Sequence, residues 1–133
     1  MPKTLTTCPY CGCGCNFYLN SENDKVVGVT PSYEHPVSRG TLCVKGWNSY
    51  AIVNHPERLT YPMIKKDGKL VRSSWDEALD FAASKLKEIK EKYGTESIGF
   101  FASAKVTNEE NYLMMKLARA VFLNNNVDHC ARL

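Results

Sequence analysis

Four cysteines within eight residues, Cys8, Cys11, Cys13 and Cys15, followed by Cys43 and Cys130, constrain this 133-residue chain more than any other feature. Structural cysteines scatter through a core, whereas metal ligands cluster. The opening Met1–Thr7 segment lacks the apolar stretch of a secretory leader, and no twin-arginine pair precedes Cys8. A cytoplasmic setting is therefore expected, where thiols stay reduced and six cysteines do not read as three disulfides. No run approaches the roughly 20 apolar residues of a membrane span. The net charge of +3 is too small to argue for nucleic acid.

An iron–sulfur cubane takes four thiolates, drawn from a loop plus a distant anchor. The run Cys8-Pro9-Tyr10-Cys11-Gly12-Cys13-Gly14-Cys15 supplies the loop, with glycines that let the backbone wrap closely, and Cys43 supplies the anchor. A structural zinc site also uses four cysteines and often opens with Cys-x2-Cys, but it usually repeats that pair, and here the second half holds Cys43 alone. Spacing favours a [4Fe–4S] cluster over zinc. It leaves open whether Cys13 or Cys15 is the third ligand. The one left over, and Cys130, read as small buried apolar side chains.

Up to about residue 60 the chain is punctuated by Gly and Pro, and Asn16–Asn20 and Lys25–Thr30 flank a turn at Ser21–Asp24, which predicts a hairpin. Trp47–Val53 suits a short helix. Such a β-rich lobe, residues 1–60, has too thin a core alone, and a metal centre would staple it. From residue 61 the pattern turns helical. Ser74 with Glu77 forms a capping box, after which Leu79, Ala82, Ala83, Leu86, Ile89 and Tyr93 recur at helical spacing until Gly94. Ser97–Phe101 suits a buried strand. Thr107 with Glu110 opens a second helix bearing Leu113, Leu117, Ala118, Val121 and Phe122, Asn124–Asn126 stop it, and Val127-Asp128 begins another strand. The expected class is α/β (α+β overall): a small cluster lobe, then residues 61–133 as the unfinished start of a parallel-sheet α/β domain.

Cys8-x2-Cys11-x3-Cys15, followed by Thr41-Leu42-Cys43-Val44-Lys45-Gly46, resembles the amino-terminal signature of the molybdopterin-dinucleotide oxidoreductases. Within them, Ser103–Tyr112 and Asn125–Leu133 are most similar to the formate dehydrogenase catalytic subunit. The resemblance covers essentially the whole chain, but only the first part of a family member. It implies Cys8, Cys11, Cys15 and Cys43 as cluster ligands and selects Cys15 over Cys13. It also implies Lys45 as an electron relay between cluster and pterin. Ser103, Lys105 and Asn108 would face a molybdenum- or tungsten-bis(molybdopterin guanine dinucleotide), although Asn108 also reads as plain helix capping. The implied enzyme oxidises formate to CO2 and passes electrons to an iron–sulfur or flavin subunit.

In that family a metal-binding cysteine or selenocysteine follows Cys-Ala-Arg-Leu, so no catalytic residue is expected within Met1–Leu133. The expectation from this position is a UGA selenocysteine codon read as stop, leaving a product limited to cluster binding and electron transfer. A free-standing ferredoxin-like carrier and a zinc-stapled interaction module are the rival readings.

Overall fold

A computed structural model describes residues 1–130 of the chain. Ala131, Arg132 and Leu133, the end of one family-like segment, lie outside the described residues. The chain divides into two compact units. One holds Met1–Arg58 and Ala102–Leu113 together with His129 and Cys130, and the other holds Leu59–Phe101 and Met114–Asp128.

The first unit is built on a three-stranded antiparallel sheet of β1 (Lys3–Thr7), β2 (Asn16–Glu22) and β3 (Lys25–Pro31), in that order. The expected hairpin is β2–β3. Its two-residue turn places Asn23 and Asp24 at φ 48° and 59°, a left-handed pair that these two residue types tolerate and that matches strand twist. The segment Lys3-Thr4-Leu5-Thr6-Thr7 pairs with β2 from Lys3↔Asn20 to Thr7↔Asn16, which makes the cysteine loop itself the connection of a second hairpin. Phe17 at 1% exposure, Cys8 and Leu42 form the core, with Tyr10, Cys15, Leu19 and Val29 packed against it. The helix expected over Trp47–Val53 is two short helices, α1 (Val44–Trp47) and α2 (Ser49–Val53), divided at Asn48.

In the second unit β4 (Met63–Lys66) and β5 (Lys69–Arg72) form a hairpin around Asp67-Gly68, both with positive φ. The helix α3 (Trp75–Tyr93) starts as its capping box predicts: Ser74 Oγ accepts the Glu77 amide at 3.1 Å. Gly94, at φ 85°, ends it. A 3-10 turn over Thr95–Ser97 shortens the expected strand to β6 (Phe100–Phe101). The helix α4 (Asn108–Lys116), whose residues up to Leu113 belong to the first unit, begins at the second capping box, where the Thr107 amide and hydroxyl both donate to Glu110 Oε2. It continues as a π-helical turn over Leu117–Phe122, closed by Leu123 in the left-handed region. The strand β7 (Val127–Asp128) lies parallel to β6, giving the β–α–β arrangement expected of a starting α/β domain.

Ile98, Ala118 and Phe122 are buried in the second unit, and the Phe100 and Phe122 rings meet at 5.2 Å between centroids. The Asn124–Asn126 run does more than stop a helix. Asn124, 3% exposed, donates through Nδ2 to Thr95 O at 2.7 Å and Ile98 O at 3.1 Å, and Asn126 donates to Glu96 O and Ile98 O. By contrast α3 buries none of its residues. Leu79, Ala83 and Leu86 instead line an apolar groove of about 440 Å³ with Leu117, Val121 and Phe122.

Candidate metal centre

The cysteine loop is shaped by its hairpin. The Cys8 amide donates to Cys15 O at 2.7 Å, one step beyond the Thr7↔Asn16 pair, so these two cysteines face each other across the base of the loop. At the tip the Gly14 amide closes a turn on Cys11 O at 3.3 Å, with Gly14 at φ 62°, a conformation that favours glycine. Strand alternation puts Cys15, Phe17 and Leu19 on one face, which explains why Cys15 joins the core.

The four expected ligands therefore have different surroundings. Cys8 is buried, Cys11 and Cys15 are half-buried, and Cys43 is exposed at the start of α1. Burial pushes the Cys8 thiol up; the charges of Cys11 and Cys43 add to that rise, and the Tyr10 amide and Lys45 oppose it. Cys8 thus lies within electrostatic reach of Cys11, Cys43 and Lys45. Burial, a hydrogen bond with Cys13, and the neighbouring thiols hold Cys15 up at about 11. Cys43 is lowered, because the Gly46 and Lys45 amides donate to its sulfur and Lys45 adds a positive charge.

Two residues depart from expectation. Cys13 and Cys130 are not buried apolar side chains; both are exposed. Cys13 sits at the loop tip with its sulfur 3.5 Å from that of Cys15. Cys130 lies 3.6 Å from Ser103 Oγ and accepts from the Ala104 amide, which lowers its thiol. Spacing gave no signal for either contact.

Ser103, Lys105 and Asn108 belong to the segment leading into α4. Ser103 Oγ accepts the Lys105 amide at 3.0 Å, and Asn111 brackets the Ser103 backbone, accepting its N–H at 3.3 Å and donating to its carbonyl at 3.0 Å. Asn108 turns to the cysteine loop and donates to Gly12 O at 3.0 Å. Between them is a polar cavity of about 280 Å³, lined among others by Cys11, Cys13, Asn16, His35, Thr107 and Asn108. His35 is held there by Ser38, its Nδ1 2.9 Å from Ser38 Oγ.

Among the described residues no three Cys, His, Asp or Glu side chains converge on a point where one ion would bind. A cubane asks each iron for one thiolate, spread over a wider frame. Four thiols presented by one hairpin and one helix start, with a lysine nearby, suit the cubane as a donor set.

Comparison with known proteins agrees with this chemistry. Residues 1–55 match the molybdopterin oxidoreductase Fe4S4 domain, and residues 58–133 match the molybdopterin oxidoreductase family. Similar proteins include "Putative formate dehydrogenase YrhE" of Bacillus subtilis, 49% identical over 130 residues that make up 98% of this chain and 13% of that protein. A like-named protein of Staphylococcus haemolyticus is 47% identical over 98% of this chain and 13% of its own length. The F420-dependent formate dehydrogenase 1 subunit alpha of Methanococcus maripaludis is 48% identical over 96% of this chain and 18% of its own length. The chain thus spans less than a fifth of the relatives it matches, and across that span, with a [4Fe–4S] cluster and a molybdopterin as the cofactors its two parts are built for, it belongs to the molybdopterin oxidoreductase family.

Proposed function

We propose that this chain is the cluster-holding part of a formate dehydrogenase, with Cys8, Cys11, Cys15 and Cys43 as the four ligands. The reaction would be formate to CO2, a proton and two electrons. When bound, the pterin-held molybdenum or tungsten supplies the two-electron chemistry and the cluster the one-electron transfer. The chain's own residues bind and tune. The thiol of Cys43 is lowered by two backbone amides and Lys45, whereas burial raises those of Cys8 and Cys15, which would release their protons on ligation. Lys45 serves as the charged relay residue beside the cluster. Ser103, Lys105 and Asn108 lie along the pterin, and the domain division falls near residue 60. The electrons leave to an iron–sulfur or flavin subunit, in a cytoplasmic setting consistent with six free thiols.

The observation that supports this most is the cysteine loop, in which the Cys8 amide pairs with Cys15 O at 2.7 Å and the Gly14 amide with Cys11 O at 3.3 Å, so that one hairpin presents three of the four proposed ligands. Anaerobic iron and sulfide analysis tests it. The expected result is four of each per chain, lost in Cys15→Ser and kept in Cys13→Ser. Zinc without sulfide would favour the stapled interaction module, and an essential Cys13 would overturn the ligand assignment.

A further inference from the structure

The contact between Asn108 and Gly12 joins residues 96 positions apart. Asn108 Nδ2 donates to the Gly12 carbonyl at 3.0 Å. The three atoms nearest to a Cβ placed on Gly12 all belong to the Asn108 amide, its carbon at 3.0 Å and its nitrogen at 3.2 Å. Gly12 has no left-handed backbone that would call for glycine. What keeps Gly12 without a side chain is therefore the amide lying across it. Gly12 in turn stands between Cys11 and Cys13, at the turn closed by Gly14.

One helical turn later, Asn111 holds the backbone of Ser103 from both sides. The first turn of α4 thus grips two loops at once, the cysteine loop through Asn108 and the Ser103 loop through Asn111. The Thr107–Glu110 capping box already satisfies the start of α4, so Asn108 is not needed as its cap.

We propose that Asn108 is a positioning residue for the cluster: its amide fixes the Gly12 peptide and thereby the angle at which Cys11 presents its sulfur. This rests on the cysteine ligand assignment above. The test uses the full-length enzyme, prepared anaerobically, with iron loss to a chelator and the electron paramagnetic resonance signal of the reduced cluster as readouts. Asn108→Asp is the decisive variant. A carboxylate in the first turn favours the helix, yet it has no proton to donate to Gly12 O. The expected result is iron loss roughly fivefold faster, the size of one hydrogen bond removed, with a changed resonance signal and an unchanged helix content. Gly12→Ala should lose iron faster still, and adding Asn108→Ala to it should slow the loss, because the obstructed amide is gone. Wild-type behaviour in Asn108→Asp, or effects of Gly12→Ala and Asn108→Ala that simply multiply, would overturn the proposal. Absence of four irons and sulfides in the wild type would instead bring down the ligand assignment itself.

Discussion

Asn124 offers a direct test of what holds the second unit together. Its side chain is almost wholly buried and makes three hydrogen bonds: Nδ2 to Thr95 O and Ile98 O, and Oδ1 from the Asn126 amide at 3.2 Å. Each carbonyl keeps a second donor when Asn124 is truncated, since the Ile98 amide reaches Thr95 O and the Asn126 side chain reaches Ile98 O. The cost of Asn124→Ala should accordingly stay near the net worth of the lost bonds, about 2–3 kcal/mol at about 1 kcal/mol each, without the extra penalty of an orphaned buried group. Asn124→Asp has almost the same shape but turns a carboxylate oxygen toward two carbonyl oxygens, so it should cost more than alanine. Hydrogen exchange at the Phe100 amide, which donates to Asn126 O at 2.8 Å, reads the effect locally. Exchange should accelerate roughly 30- to 150-fold in Asn124→Ala, the same energy converted at tenfold per 1.4 kcal/mol, and further in Asn124→Asp. An aspartate variant protected as well as the alanine variant, or an alanine variant indistinguishable from wild type, would refute the account.

Other outcomes can be checked in parallel. Phe17→Ala removes a large side chain that is fully buried in the first unit; a loss of about 3–5 kcal/mol should leave the lobe unable to retain iron, measurable by metal content after gel filtration. The cluster-free chain should lose stability as pH rises from 9 toward 11. Burial and neighbouring thiols raise Cys15 to about 11 in the folded state, so its contribution is complete below 9 and disappears as the thiol ionises. Thermal unfolding across that range should show the decline in wild type and a weaker one in Cys15→Ser. In the full-length enzyme, Lys45→Ala should keep four irons while slowing electron delivery to the acceptor; unchanged turnover would remove Lys45 from the path.

Helix starts were legible in the chain because capping is local chemistry: Ser74 with Glu77 and Thr107 with Glu110 both form as their spacing implies. The β2–β3 hairpin was legible for the same reason. The β4–β5 hairpin was not read, although Asp67-Gly68 is a strong two-residue turn signal. Lysines at 65, 66 and 69 and Arg72 mask the alternation around Ile64 and Val71. The strand β1 was missed because its Lys-Thr-Leu-Thr-Thr run has a single large apolar residue and sits mostly exposed. At the site, thiol spacing conveyed the chemistry but not the individual environments. Cys13 and Cys130 reach the surface because of where a loop tip and a distant backbone amide fall, and a long-range contact such as Asn108 to Gly12 leaves no periodic trace. The same holds for the Asn124 clamp.

The Cys8–Cys15 pairing has a consequence for how such a loop can vary. Both residues extend the β1–β2 ladder. An insertion or deletion between positions 9 and 14 would move Cys11 relative to Cys8 and Cys15 while leaving that ladder in place. A one-residue slip in the strands is different: it would exchange the two faces of β2, turning Phe17 and Leu19 to solvent and Cys15 away from the core with them. Strand register thus ties the proposed ligand Cys15 to the hydrophobic anchor, since a chain that paired wrongly would displace both together.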